Sequence, residues 1–101
     1  MTAFLIVRAE VEPAAREAFD RWYQNEHLPD ATEAFGAAGA SRGWSDVDDN
    51  VHIAFYEFAD LAEVNRVMGS DALKGMIAEF DRLWTGKVTR TREVLELIQE
   101  I

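Results

Sequence analysis

The 101-residue sequence predicts an α+β fold in the order β-α-β-β-α-β, a four-stranded antiparallel sheet with both helices on one face. Residues 3–11 contain a contiguous apolar run, and residues 51–58 are rich in Val, Ile, Phe and Tyr, as buried strands are. Residues 14–27 and 61–84 repeat apolar side chains every three or four positions, which is typical of amphipathic helices. A polar turn at 46–50 separates two extended runs and indicates a hairpin.

The first two elements are a strand and a helix. Phe4–Val7 is an uninterrupted apolar run, which favours burial on both faces of the sheet. Pro13 suits a first helical position, where its missing N–H is not needed. The helix is predicted to end near His27, because Leu28 precedes Pro29 and is pushed away from helical dihedrals. Residues 29–35 are ambiguous and could add one or two turns.

The second half of the chain is predicted to hold two strands, a helical segment and a last strand. The middle strands cover 40–44 and 51–58. Asp60 and Ser70 are good N-cap residues, so the segment 61–84 is expected to restart after Gly69. The last strand is predicted over 87–98, although its final residues could equally form a short helix.

Composition excludes several classes of function. The chain has 19 acidic and 10 basic side chains and a net charge of −9, which disfavours nucleic acid and anionic membranes as partners. The absence of Cys excludes disulfides and thiolate chemistry. We expect a single domain over 1–101 in the cytoplasm, since no signal-peptide pattern and no run of membrane-spanning length are present.

The predicted sheet leaves one apolar face uncovered. The first and third strands carry large apolar side chains on both sides, and the two helices cover only one side. An exposed apolar sheet of this size would be an association patch. The sequence therefore predicts a symmetric homodimer in which two sheets pack face to face.

The chain's candidate chemistry lies at the end of the first helix. Counting back in steps of four connects His27 with Tyr23 and Phe19, and Glu26 with Trp22, so both polar residues are predicted to continue the buried stripe. A histidine at the rim of a core can act as a general acid or base. The structural alternative is a helix-end cap, because an imidazolium suits the negative end of the helix dipole.

The segment Trp22-Tyr23-Gln24-Asn25-Glu26-His27-Leu28-Pro29 resembles the W-Y-x-x-E-H-L-P segment of small EthD-like proteins in the dimeric α/β-barrel superfamily. The resemblance implies a ferredoxin-like subunit that dimerises sheet to sheet into a barrel, and a cleft between helices and sheet that the histidine faces. The wider superfamily includes monooxygenases, isomerases, dehydratases, decarboxylating enzymes and haem-degrading enzymes. A haem-degrading member would have an asparagine in its first strand, which residues 3–8 lack, so haem is disfavoured.

A cleft at this helix would suit a flat, apolar or aromatic small molecule. We expect His27 and Tyr23 to be catalytic, because Tyr23 lies one turn back on the same stripe and proton transfer needs no cofactor. The enzyme would then be a cofactor-independent isomerase, lyase or monooxygenase. The residues expected to bind the substrate are Phe19, Trp22, Glu26, Arg42 and His52.

Each of these residues also has a structural interpretation. Trp22 and Tyr23 could be ordinary core residues, and His52 an exposed strand-end residue. The strand arginines (Arg8, Arg42, Arg90 and Arg92) could bind an anionic substrate, but pairing with acids such as Glu10 and Glu57 is the favoured prediction. Two histidines without a spacing motif predict no metal site.

Two functional hypotheses follow. The first is an enzyme, or a binding protein accessory to one, that acts on a small apolar metabolite with His27 as its polar centre. The second is a non-catalytic dimeric module that sequesters a ligand or binds a protein partner, with a structural His27. An acid and an imidazole on a buried stripe are costly unless used or well bonded, which favours the first.

Overall fold

A computed structural model describes residues 1–101 as a four-stranded antiparallel sheet with helices packed on one face. The strands are β1 (Ala3–Val11), β2 (Gly39–Trp44), β3 (Val51–Phe58) and β4 (Val88–Glu96). Their order across the sheet is β2-β3-β1-β4, so β2 and β4 are the edges. The predicted ferredoxin-like α+β fold class is confirmed.

The helical segments are α1 (Arg16–Trp22), α2 (Leu28–Phe35), α3 (Leu61–Met68) and α4 (Asp71–Trp84). Both predicted caps are confirmed. The Asp60 carboxylate accepts a hydrogen bond from the Glu63 N–H at 3.0 Å, and the Ser70 hydroxyl accepts one from the Leu73 N–H at 3.2 Å. None of these helices has both the length and the apolar character that crossing a bilayer requires.

The prediction that the first helix ends at His27 is wrong. A π turn (Tyr23–His27) connects α1 directly to α2, and the Leu28 N–H donates to the Tyr23 carbonyl five residues back. Proline is disfavoured inside an α-helix because it lacks an N–H and crowds the carbonyl four residues earlier. The wider turn accommodates Pro29 at the start of α2, and Gly36 ends that helix with a left-handed φ of 65°.

Strand register determines which side chains lie under the helices. Leu5 of β1 pairs with Tyr56 of β3 on one side and Val94 of β4 on the other. Residues at alternate positions along each strand therefore face the helices and join a core that also includes Phe19. The last predicted strand is confirmed as β4, but it ends at Glu96 rather than forming a helix.

The opposite face of the sheet carries a cluster that we call the open-face patch. It consists of Phe4, Ile6, Ile53, Phe55 and Leu95, and the register places Glu57 beside Phe4 and Glu93 beside Ile6 at its border. Phe55 and Leu95 are 37% and 41% exposed. The predicted apolar character of both sheet faces is confirmed.

Candidate functional site

A small cavity opens between α2, α4 and the sheet. Its free volume is about 30 Å³, room for roughly two water molecules. Eleven residues from six segments of the chain line it: Leu5, Val7, His27, Phe35, Tyr56, Leu73, Met76, Ile77, Phe80, Arg90 and Arg92. The lining is apolar except for one imidazole, one phenol and two guanidinium groups, and it contains no carboxylate.

His27 lies at the end of the π turn with its ring held on three sides by aromatic groups. The ring stacks on Trp22 at a centroid distance of 4.4 Å and an angle of 21°. The rings of Tyr23 and Phe80 meet it at steep angles, at 4.8 and 5.9 Å. The side chain is 8% exposed, and its orientation is fixed by packing rather than by hydrogen bonds.

Burial keeps His27 neutral. Loss of solvation, followed by the positive charge of Arg90, lowers the pKa of His27 from 6.5 to about 4. At neutral pH the ring therefore has one unprotonated nitrogen that can accept a proton or a hydrogen bond. The predicted helix-end cap, which needs an imidazolium, is not formed, because the helix continues past this residue.

Two tyrosines connect His27 with the interior of the sheet. The Tyr23 hydroxyl lies 3.3 Å from the Tyr56 hydroxyl, and either can donate. Burial raises the pKa of Tyr23 to about 12 and also raises the pKa of Tyr56, so both phenols are protonated at neutral pH. Tyr56 lines the cavity, whereas Tyr23 does not line it but contacts both Tyr56 and His27.

A second polar cluster lies behind Tyr23 and is centred on His52. The Arg42 guanidinium donates to His52 Nε2 at 3.2 Å and to Asp20 Oδ1 at 2.9 Å. The same Asp20 oxygen accepts from Trp44 Nε1 at 2.8 Å. These hydrogen bonds, first from Trp44 and then from Arg42, lower the pKa of Asp20.

The hydrogen bond from Arg42 determines the tautomer of His52. Because a guanidinium can only donate, Nε2 must be unprotonated and the ring proton must lie on Nδ1. Nδ1 is buried and has no hydrogen-bond partner. Burial, followed by the charge of Arg42, lowers the pKa of His52 to about 4, so this ring is neutral as well.

The structure brings only part of the predicted site together. Of the predicted residues, only His27 lines the cavity, while Trp22 and Tyr23 contact its ring from outside. Phe19 is fully buried in the core, and the prediction that Glu26 continues the buried stripe is wrong, since Glu26 is exposed. Adjacent helical residues point in different directions, and only the His27 side meets the sheet.

The predictions for His52 and Arg42 have mixed outcomes. The expectation of an exposed strand-end His52 is wrong, because the side chain is 0% exposed. Arg42 pairs with an acid, as favoured, but the acid is Asp20 of α1 rather than a neighbour in the sheet. No group of three or more His, Cys, Asp or Glu side chains is arranged to hold a metal ion.

Tyr56 and Phe80 were not predicted as cavity residues from the sequence, whereas Arg90 and Arg92 were considered as anion-binding residues but were expected to pair with acids. The sequence of β4 contained a signal for the two arginines. Val88 and Val94 lie an even number of residues from Arg90 and Arg92, so all four side chains share one face of the strand. Apolar residues at the ends of that alternation mark the helix-facing side, which places both arginines under the helices.

Comparisons with known proteins identify the fold. No protein-family model matches the sequence, and no curated protein sequence matches it either. An EthD family protein from Bacillus halodurans superposes with a TM-score of 0.74 and 18% identity over 97% of this chain and 100% of that one. HapK from Hahella chejuensis has a TM-score of 0.70 and 14% identity over 97% and 94% of the two chains.

A third match is a variant of SnoaB, a cofactor-independent oxygenase from Streptomyces nogalater. It superposes with a TM-score of 0.66 and 14% identity over 99% of this chain and 96% of that one. At such identities the likeness shows the fold alone. It confirms, at the level of the fold, the resemblance to EthD-like proteins of the dimeric α/β-barrel superfamily that residues 22–29 suggested.

Proposed function

We propose that this protein is a small-molecule enzyme, or a binding protein accessory to one, that acts on an apolar or aromatic metabolite in the cavity beside His27. The observation that carries the proposal is a neutral, buried imidazole held by aromatic packing at the wall of an apolar cavity. Desolvating a histidine costs free energy, and packing alone would be served better by an apolar side chain. An imidazole at the cavity wall could instead contact a bound ligand, which would offset this cost.

The proposed chemistry is proton transfer by His27. Its free ring nitrogen would take a proton from an acidic C–H or O–H of the ligand, and the stacked Trp22 ring would hold the imidazole in position. The Tyr56 hydroxyl, neutral in the cavity wall, could donate a hydrogen bond to the oxyanion that forms. Tyr23 would act as a positioning residue through its contacts with His27 and Tyr56.

Such a mechanism needs no cofactor. It is compatible with a cofactor-independent isomerase, lyase or monooxygenase, each of which can begin by removing a proton from the substrate. SnoaB, one structural match, is a cofactor-independent oxygenase, and its shared fold supports this part of the proposal. The substrate itself and the cytoplasmic location stay predictions from the sequence.

The proposal predicts ligand stabilisation that depends on His27. In a thermal-shift screen of small aromatic and lactone metabolites, a ligand at 100 times its Kd adds about 2.7 kcal/mol to the free energy of unfolding. For a domain of this size that raises the melting temperature by roughly 10 °C or more. We expect the shift in the wild type and not in His27→Gln.

His52→Gln is the matched control, because it removes a buried histidine that does not line the cavity and should keep the ligand response. A different result would support a structural His27 in a non-catalytic module. That result is that no compound stabilises the wild type, while His27→Gln alone lowers the melting temperature.

We also propose that the protein is a homodimer that pairs through the open-face patch. The patch groups five large apolar side chains on a surface that no helix of the same chain covers. A second copy related by a twofold axis would bury this surface against itself. The fold of the structural matches supports this arrangement.

If the protein dimerises through the open-face patch, a charge placed in that patch should disrupt the dimer. Phe55→Asp should elute as a monomer at low micromolar concentration, because pairing would bury an unpaired carboxylate. Val47→Asp adds the same charge at an 89% exposed position and should stay dimeric. Light scattering that finds a monomeric wild type would contradict the proposed dimer.

A further inference from the structure

The cavity contains two positive charges and no negative one. Arg90 and Arg92 occupy alternate positions of β4, opposite Ala9 and Val7 of β1. Both therefore face the helices, with their Cβ atoms about 7 Å apart. In a chain with 19 acidic and 10 basic side chains, a cavity lined by two guanidinium groups and no carboxylate is not explained by composition.

The two arginines differ in how their charges are balanced. Arg90 forms an ion pair with Asp81 at 3.0 Å, and its guanidinium lies 4.0 Å over the centre of the Phe80 ring. Arg92 forms neither an ion pair nor a side-chain hydrogen bond within the chain. Partial burial, followed by the charge of Arg90, lowers the pKa of Arg92, and the negative charge of Asp81 offsets only part of this effect.

A bound anion would supply what Arg92 lacks. The guanidinium group has a planar array of N–H donors that matches both oxygens of a carboxylate. The remaining wall, which includes Leu73, Met76 and Ile77 of α4, offers apolar surface to the rest of such a ligand. An uncharged apolar ligand would leave the guanidinium of Arg92 unpaired and less solvated.

The cavity is too small for an aromatic ligand unless side chains of α4 move. A cavity that holds a benzene ring measures about 150 Å³, several times the free volume of about 30 Å³ present here. Met76 is the side chain best suited to move, because an unbranched thioether adopts many rotamers at low cost. Its partial exposure at the cavity wall gives it room to rotate outwards.

We infer that the ligand of this cavity is a small apolar monoanion, such as an aromatic carboxylate, whose negative group binds to Arg92 beside Arg90. This inference rests on the proposed function and narrows its ligand class. The anion would also reduce the effect of Arg90 on His27, so that ligand binding would make the imidazole more basic. Charge recognition and proton transfer would thus be coupled in one site.

The test uses benzoate and benzyl alcohol, which share a ring and differ in charge. Binding is followed by methyl NMR signals of Leu73 and Ile77 in wild type, Arg92→Met, Arg92→Lys and Arg82→Met. We expect benzoate to bind the wild type and Arg82→Met equally, and Arg92→Met about tenfold to a hundredfold more weakly. Arg92→Lys keeps the charge without the planar donors and should fall between them.

Arg82 is the matched control, because it is an exposed arginine of α4 whose removal changes the net charge equally. The Arg92→Lys variant keeps the test decisive if Arg92→Met does not fold. If benzyl alcohol binds the wild type as well as benzoate does, the inference is overturned and the proposed function stands. If neither compound shifts the Leu73 and Ile77 methyl signals, the inference is overturned, and the thermal-shift screen alone decides the proposed function.

Discussion

Lowering the pH from 6.5 to 4.5 is expected to reduce the free energy of unfolding by roughly 3–5 kcal/mol through two histidines. His27 and His52 are 8% and 0% exposed, and each has a pKa of about 4 in the folded protein against 6.5 in model peptides. Below pH 6.5 the unfolded chain binds a proton at each ring that the folded protein does not. Stability is therefore greatest above pH 6.5 and falls as the pH approaches 4.

Urea unfolding at several pH values and one protein concentration measures this dependence. The slope expected from each histidine is roughly 1.4 kcal/mol per pH unit. His27→Gln and His52→Gln should each remove about half of it. Asp20 affects the free energy of unfolding only at lower pH. Because its pKa is depressed in the folded protein, its stabilising contribution is lost as the pH falls from the ordinary pKa of a carboxyl towards that depressed value. An unchanged slope in the double variant would refute this origin.

Phe19→Ala is expected to lower the free energy of unfolding by about 3–5 kcal/mol, a large part of the stability of a small domain. Phe19 is 0% exposed and contacts six aromatic rings, from Trp22, Tyr23, Trp44, His52, Phe80 and Trp84. Its removal would leave a cavity where α1, α4 and the sheet meet.

Met68→Ala is a suitable control for this substitution. Met68 is 37% exposed at the end of α3, so its removal should cost about 1 kcal/mol or less. Both variants are compared with the wild type by urea unfolding at one protein concentration. A small loss of stability in Phe19→Ala, accompanied by loss of ligand response, would instead make Phe19 a ligand-binding residue, as its sequence position first suggested.

The fold was predictable because its signals are local. Alternating and continuous apolar runs define β1 and β3, and the caps at Asp60 and Ser70 define the starts of α3 and α4. The π turn was not predictable from those signals. A proline ends or kinks most α-helices from within. Only the packing of Tyr23 and His27 against the core explains why the chain stays helical up to Pro29.

The site was predictable only where one helix defines it. His27 and the rings that hold it lie close together in sequence, so helical spacing connects Tyr23 with His27. Glu26 lies on the same turn but outside the buried face. Arg90 and Arg92 join His27 only through the pairing of β4 with β1. That pairing depends on register, which no single segment of sequence specifies.

The proposed function depends on His27 being a desolvated, neutral base at the wall of the cavity. The most direct test is the Cε1 carbon chemical shift of His27, followed by NMR as the pH of the folded protein is lowered from 7.5, with His27→Gln for assignment. We expect the ring to stay neutral down to at least pH 5, in accordance with a pKa of about 4. Titration near pH 6.5 would contradict it, because the ring would then be solvated like a free imidazole rather than desolvated in the cavity wall.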